Sequence, residues 1–261
     1  MTTALVTGAT AGLGAEFARQ LAEKGHDLVL VARDRARLEN VSDELQRAYK
    51  VHTEILVADL ADRAQVGKVA LRLADEASPV DLLVNNAGFG LRKPFLANEV
   101  EVEEGMFDVL CRAVLVLSHA AGQAMSERRR GAIINVSSVA GFAAMGTYSA
   151  AKAWVTVFSE ALATQLAGTG VTVTALCPGF VRTEFHERGN IAMSALPDAL
   201  WLEAPAVVRA ALDDAARGRV VSVPSLPYKA LVAGMQVVPR GLVTKVSGIL
   251  GARRAGTTHR S

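Results

Sequence analysis

Seven short runs rich in valine, isoleucine and leucine recur along the chain: "TALVTG", "DLVLVA", "TEILVAD", "VDLLVNN", "GAIINVSS", "VTVTALCPG" and "RVVSVPS". Between them lie segments whose apolar residues repeat with helical spacing. A strand that is apolar on both sides, followed by a helix and then another such strand, describes a parallel sheet covered on both faces. The fold class is therefore α/β. Helix-start signals agree with this reading. Asp34 precedes "RARLENVSDELQRA", Asp62 precedes "RAQVGKVALRLADEA", and Pro205 opens "AVVRAALDDAARG", which ends at Gly218. No internal repeat or linker interrupts the pattern, so residues 1–224 are read as one domain with a substrate lid at about 182–204, and 225–261 as a C-terminal helical extension and tail.

Composition narrows the function classes. The chain has 261 residues and a net charge of +2, too small to point to a nucleic-acid partner. Its two cysteines, Cys111 and Cys177, each sit in an apolar run, which argues against a disulfide framework or a cysteine-bound metal and suits the cytoplasm. The start "MTTALVTGAT" enters a strand at once, with no signal-peptide pattern. The five histidines are scattered without paired spacing, so no metal site is assigned. The Gly-x-Ser-x-Gly pattern of serine hydrolases is absent.

The first strand runs into "TGATAGLGAEF", a turn containing Gly8, Thr10, Gly12, Leu13 and Gly14 before an amphipathic helix. Glycines there let the backbone approach a pyrophosphate, and the N-H groups and positive end of the helix stabilise the anion. An ordinary strand-to-helix turn would also tolerate glycine, but this position after the first strand of a βαβ unit favours a dinucleotide. The second strand ends "VLVARD". Ala32 stands where a carboxylate would accept from a ribose 2′-hydroxyl, and Arg33 follows it, which suits the extra phosphate of NADP. The bland alternative leaves Arg33 in solvent and Asp34 as a helix cap.

Tyr148 and Lys152 lie four residues apart in "GTYSAAKAW", on one face of an alanine-rich helix. Alone, such a pair is an ordinary surface neighbour. In company with "TGATAGLG", "ADL" at Asp59, "NNAG" at Asn85 to Gly88, "NVSS" at Asn135 to Ser138 and "PGFVRTEF" from Pro178, the chain resembles the short-chain dehydrogenase/reductase family from about Thr2 to Pro224. The resemblance implies a Rossmann-type doubly wound sheet of seven strands in the order 3-2-1-4-5-6-7. It implies NADP(H) bordered by Asp59 and Leu60 at the adenine, with Asn86, Ala87 and Gly88 beneath, and Pro178, Gly179, Val181 and Thr183 at the nicotinamide end. It makes Ser138, Tyr148 and Lys152 the catalytic group, with Lys152 also on the nicotinamide ribose. A lysine one turn away is expected to stabilise the phenolate of Tyr148, whose ordinary pKa near 10 suits it poorly to proton transfer at neutral pH.

The implied activity is reduction of a carbonyl, or oxidation of a secondary alcohol, by a homodimer or homotetramer. The alternative is a non-catalytic NADP-binding regulator or scaffold. Two departures from the family motivate it. Leu110 in "MFDVLCRAVLVL" takes the place where many relatives carry an asparagine that helps hold a water, a task left to a backbone carbonyl at a helix bend. The stretch "SVAGFAAMGTY" is short, which leaves Ser137 as an alternative to Ser138. Phe185, Met193, Leu196, Leu200 and Trp201 suggest a lid over a lipophilic substrate. Leu231, Met235, Val238, Leu242, Val246 and Ile249 form an apolar stripe that packs on protein or, alternatively, lies on a membrane surface.

Overall fold

The computed structural model describes residues 2–91, 93–183 and 198–237. Along the chain lie β1 (Thr3–Thr7), α1 (Gly12–Glu23), β2 (Asp27–Ala32), α2 (Arg35–Tyr49), β3 (Thr53–Val57), α3 (Arg63–Leu73) and β4 (Leu82–Asn85). They are followed by α4 (Val100–Phe107), α5 (Ala113–Glu127), β5 (Gly131–Val136), α6 (Thr147–Gln165) and β6 (Val171–Leu176). The last elements are β7 (Phe180–Arg182), β8 (Trp201–Glu203), α7 (Ala204–Ala216), β9 (Val221–Ser222) and α8 (Leu226–Val237). Seven strands form one parallel sheet in the order β3-β2-β1-β4-β5-β6-β9.

Successive residues of each central strand alternate between the two faces. Ala4, Val6, Leu28, Leu30, Val84 and Ile134 share one core with α1, α2 and α7. Leu5, Val29, Val31, Leu83, Ile133 and Val173 share the other with α3 and α5. Because both faces are buried, the strands read as unbroken apolar runs. Asp34 and Asp62 cap their helices as the sequence suggests, accepting from Arg37 N and from Ala64 N and Gln65 N; each cap contributes about 1 kcal/mol.

The order differs from simple numbering in one respect. Among the described residues, two three-residue strands, β7 and β8, pair only with each other, so the seventh strand of the main sheet is the ninth described along the chain. The continuous helical run Val100–Glu127 is long and apolar enough to cross a membrane, but Met106, Leu110, Leu117, Ala121 and Met125 are buried against protein. The strand order reverses between β1 and β4, and the carboxyl ends of such strands open a crevice suited to a ligand.

Candidate active site

The turn after β1 is held by the turn after β4. Thr7 Oγ1 accepts from the N-H groups of Asn86 at 2.9 Å and Ala87 at 3.0 Å, and the Asn86 amide donates back to the Thr7 carbonyl at 2.9 Å. Gly8 has φ of +67°, and a Cβ there would lie 2.9 Å from Asn86 Nδ2. At Gly14 a Cβ would lie 2.1 Å from the Gly8 carbonyl oxygen, so neither position admits a side chain without moving the backbone. Helix α1 begins here with Ala11 as its N-cap, no side-chain cap bond and no acidic residue in its first turn. Uncapped backbone N-H groups at the positive end of a helix fit an anion, so the donor set suits a dinucleotide pyrophosphate. Thr183 reaches the same turn, its Cβ 3.3 Å from the position of a Cβ on Gly12.

Arg33 is exposed and stands 3.9 Å from Asp59 Oδ2. An exposed pair at that distance holds the guanidinium weakly and leaves it free to turn to a phosphate. Asp59 also accepts from Ala61 N at 3.0 Å. The side chains of Leu60 and Val181 are buried in the two cores, so what they offer a ligand is main chain.

Ser138, Tyr148 and Lys152 come together at the ends of β5 and α6. The Ser138 hydroxyl lies beside the Tyr148 phenol and favours its ionised form. Lys152 is buried, its ammonium 5.8 Å from the centre of the Tyr148 ring and donating to the Val136 carbonyl at 2.7 Å. Ser137 is occupied elsewhere: its hydroxyl donates to the Lys152 carbonyl at 2.7 Å and lies 2.7 Å from Thr156 Oγ1. Of the two serines left open by the sequence, Ser138 is the one beside the tyrosine, while Ser137 fixes α6 to β5. A second clamp runs through the sheet, with Asn135 donating to Ser159 at 3.0 Å and Asn85 donating to Asn135 at 2.9 Å.

The electrostatics correct the sequence reading. Burial pushes the Tyr148 phenol up to about 12, opposed by the Ser138 hydroxyl, and pushes Lys152 down to about 8. Desolvation disfavours both charged forms, and at Tyr148 it outweighs the opposing effect of the Ser138 hydroxyl.

Leu110 is buried within a π turn, Asp108–Arg112, that joins α4 to α5. The π turn interrupts the regular α-helical hydrogen bonding at this point. The leucine packs so closely on Gly88 that a Cβ there would lie 2.7 Å from Leu110 Cδ2. The 3-10 turn Val139–Phe142 follows Ser138, whose hydroxyl accepts from Ala140 N at 3.1 Å.

Two residues were not singled out by sequence. Glu103, buried on α4, accepts at 2.6 Å from both Thr147 Oγ1 and Asn98 Nδ2, and so ties the residue before Tyr148 to the loop ahead of α4. Tyr228, on α8, packs against Gly179. Of the stripe read on the C-terminal segment, Met235 packs on the core and Leu231 does not. Leu231 is exposed, whereas Tyr228, Val232 and Met235 face the core. Phe185, Met193, Leu196, Val238, Leu242, Val246 and Ile249 lie outside the described residues. Trp201 opens β8, its ring 6.0 Å from that of Phe180.

The sequence profile of the short chain dehydrogenases matches residues 2–192. The chain belongs to that family. Within it, the chain is 38% identical over 186 residues to an NADP-dependent 3-hydroxy acid dehydrogenase of Escherichia coli K12, covering 69% of this chain and 73% of that one. Among solved structures, a short-chain dehydrogenase from Sphingobium yanoikuyae in complex with NADPH is 35% identical, with a TM-score of 0.83 over 90% of this family member and 94% of that chain. A bulky-bulky ketone specific alcohol dehydrogenase from Comamonas testosteroni is 29% identical, with a TM-score of 0.78 over 92% and 96%.

Proposed function

We propose that this chain is an NADP(H)-dependent oxidoreductase acting on a carbonyl or secondary alcohol, with Tyr148 as the proton donor or acceptor. The observation that carries the reading is the buried Lys152 ammonium set 5.8 Å from the centre of the Tyr148 ring, with Ser138 beside the phenol. When bound, NADPH supplies the hydride. The N-H groups around Gly8, Thr10, Gly12, Leu13 and Gly14 hold the pyrophosphate, and Arg33 turns from Asp59 to the 2′-phosphate. Asp59 and Leu60 border the adenine. Gly88, with Asn86 and Ala87, forms the floor, and Pro178, Gly179, Val181 and Thr183 hold the nicotinamide end. The names of the relatives, one NADP-dependent and one in complex with NADPH, support this cofactor.

In reduction, Ser138 donates to the substrate oxygen and Tyr148 delivers a proton to it; in oxidation Tyr148 accepts that proton. A phenol kept neutral by burial is in the correct form to act as the acid. Lys152, held by Val136, replaces solvent beneath the phenol and supports charge that develops there.

The substrate side is proposed to be lipophilic. Tyr148, Leu91 and Trp154 border one apolar cluster of Met106, Leu110, Cys111 and Ala151. The carboxylate of Glu103, one bond from Thr147, disfavours an anion nearby. A relative named for bulky ketones supports this class. The proposal includes a cytoplasmic homodimer or homotetramer, which suits two free, buried cysteines and exposed Phe107, Leu115 and Val157 on the helical face. The test is consumption of NADPH, followed by its absorbance, over a panel of ketones and aldehydes. Turnover supports the enzyme; tight NADPH binding without turnover across the panel selects the non-catalytic alternative.

A further inference from the structure

We infer that Tyr228, on the helix that follows the Rossmann sheet, is a positioning residue for the nicotinamide end of the dinucleotide, acting through the backbone of Gly179 and Phe180. The inference rests on the function proposed above. Three contacts carry it. The Tyr228 hydroxyl donates to the Leu200 carbonyl at 2.8 Å and accepts from the Phe180 N-H at 3.3 Å. Its ring lies so close to Gly179 that a Cβ there would stand 2.1 Å from Cε2 and Cζ. The side chain is 3% exposed.

These contacts fall on the two ends of one small element. Phe180 opens β7 and pairs with Trp201, the first residue of β8, and Leu200 immediately precedes β8. A single phenol oxygen therefore joins the start of one strand to the start of the other. The other side of the segment is held from the site itself: the Pro178 carbonyl accepts from Val139 N at 3.0 Å, and Val139 follows Ser138. Val139 and Phe142 also pack in the cluster that contains Tyr228 and Val232. The stretch Pro178–Phe180 is thus gripped between the serine turn and α8. Gly179 is not among the glycines with positive φ, so the ring of Tyr228, and not backbone strain, is what demands a glycine there. This helix lies beyond the residues matched by the family profile, which end at 192.

A phenylalanine at 228 keeps the ring and removes the hydroxyl from Phe180 and Leu200. The expected result is selective. In Tyr228→Phe, the Kd for NADPH, read by fluorescence, rises about tenfold, while the Kd for 2′-phospho-ADP-ribose, which lacks the nicotinamide ring, stays within about twofold. The Phe180 amide exchanges with deuterium faster in the dinucleotide-free variant than in the dinucleotide-free wild type. Should Tyr228→Phe not fold, Gly179→Ala, which leaves the hydroxyl and presses on the ring, is expected to give the same split between the two ligands. Equal weakening of both ligands, or no weakening of NADPH, overturns the inference and leaves the proposed function standing. A wild-type protein that binds neither ligand overturns both.

Discussion

The Lys152 ammonium donates to the Val136 carbonyl at 2.7 Å, so the base of the tyrosine site is a buried cation held by a strand end. This bond keeps the lysine on β5 in the protein itself. Its cost appears in the depressed pKa, about 8, that burial imposes.

That depression has a signed consequence for stability. Between about pH 8 and the ordinary lysine range, the unfolded chain binds a proton at this position that the folded chain has released, so stability rises with pH. Relative to Lys152→Met, the dinucleotide-free wild type should gain up to about 3 kcal/mol across that window, measured by urea unfolding. Cys111 and Cys177, raised to about 11, act with the opposite sign above about pH 9, and Tyr148, raised to about 12, does so above about pH 10; all three are kept in Lys152→Met, so the difference between the two proteins reports the lysine. A difference that is flat or falls with pH would contradict the assignment.

The two adjacent serines should separate by readout. Ser138→Ala removes the hydroxyl beside Tyr148 and is expected to lower kcat by about 100-fold with little change in Tm. Ser137→Ala removes the clamp on the Lys152 carbonyl and should cost about 1–3 kcal/mol of stability. The reverse pattern would exchange their roles.

Arg33→Ala should raise KM for NADPH by about tenfold while leaving KM for NADH nearly unchanged, because the proposed guanidinium contact is with the 2′-phosphate. Steady-state kinetics with both dinucleotides check this. An equal effect on both would remove Arg33 from cofactor selection.

Glu103→Ala leaves Thr147 Oγ1 and Asn98 Nδ2 without their shared carboxylate. Thermal unfolding should show a loss of about 1–3 kcal/mol. An unchanged Tm would mean that the carboxylate does not hold the start of α6.

The sheet was legible because burial on both faces writes its strands as apolar runs, and the glycine turn because phosphate approach restricts side chains. Tyr148 and Lys152 were legible only in the company of the other motifs, since a four-residue spacing by itself marks an ordinary surface pair. Burial around them was not, since spacing reports neighbours along a helix and not the strand ends packed against it; the acidified phenol expected from sequence therefore became one raised to about 12. Strands β7 and β8 escaped notice because each has three residues and is defined only by its partner. In the C-terminal stripe Met235 packs inward as read, whereas docking turns Tyr228 and Val232 inward in place of Leu231. Glu103 looks like its acidic neighbours in "EVEEGMF", and only its partners at Asn98 and Thr147 distinguish it.

The most direct measurement is Tyr148→Phe assayed for both NADPH binding and ketone reduction. The account predicts NADPH affinity within about twofold of wild type and a loss of turnover of at least about 100-fold, the range for removal of a general acid. Near-normal turnover in a variant that still binds NADPH would contradict it.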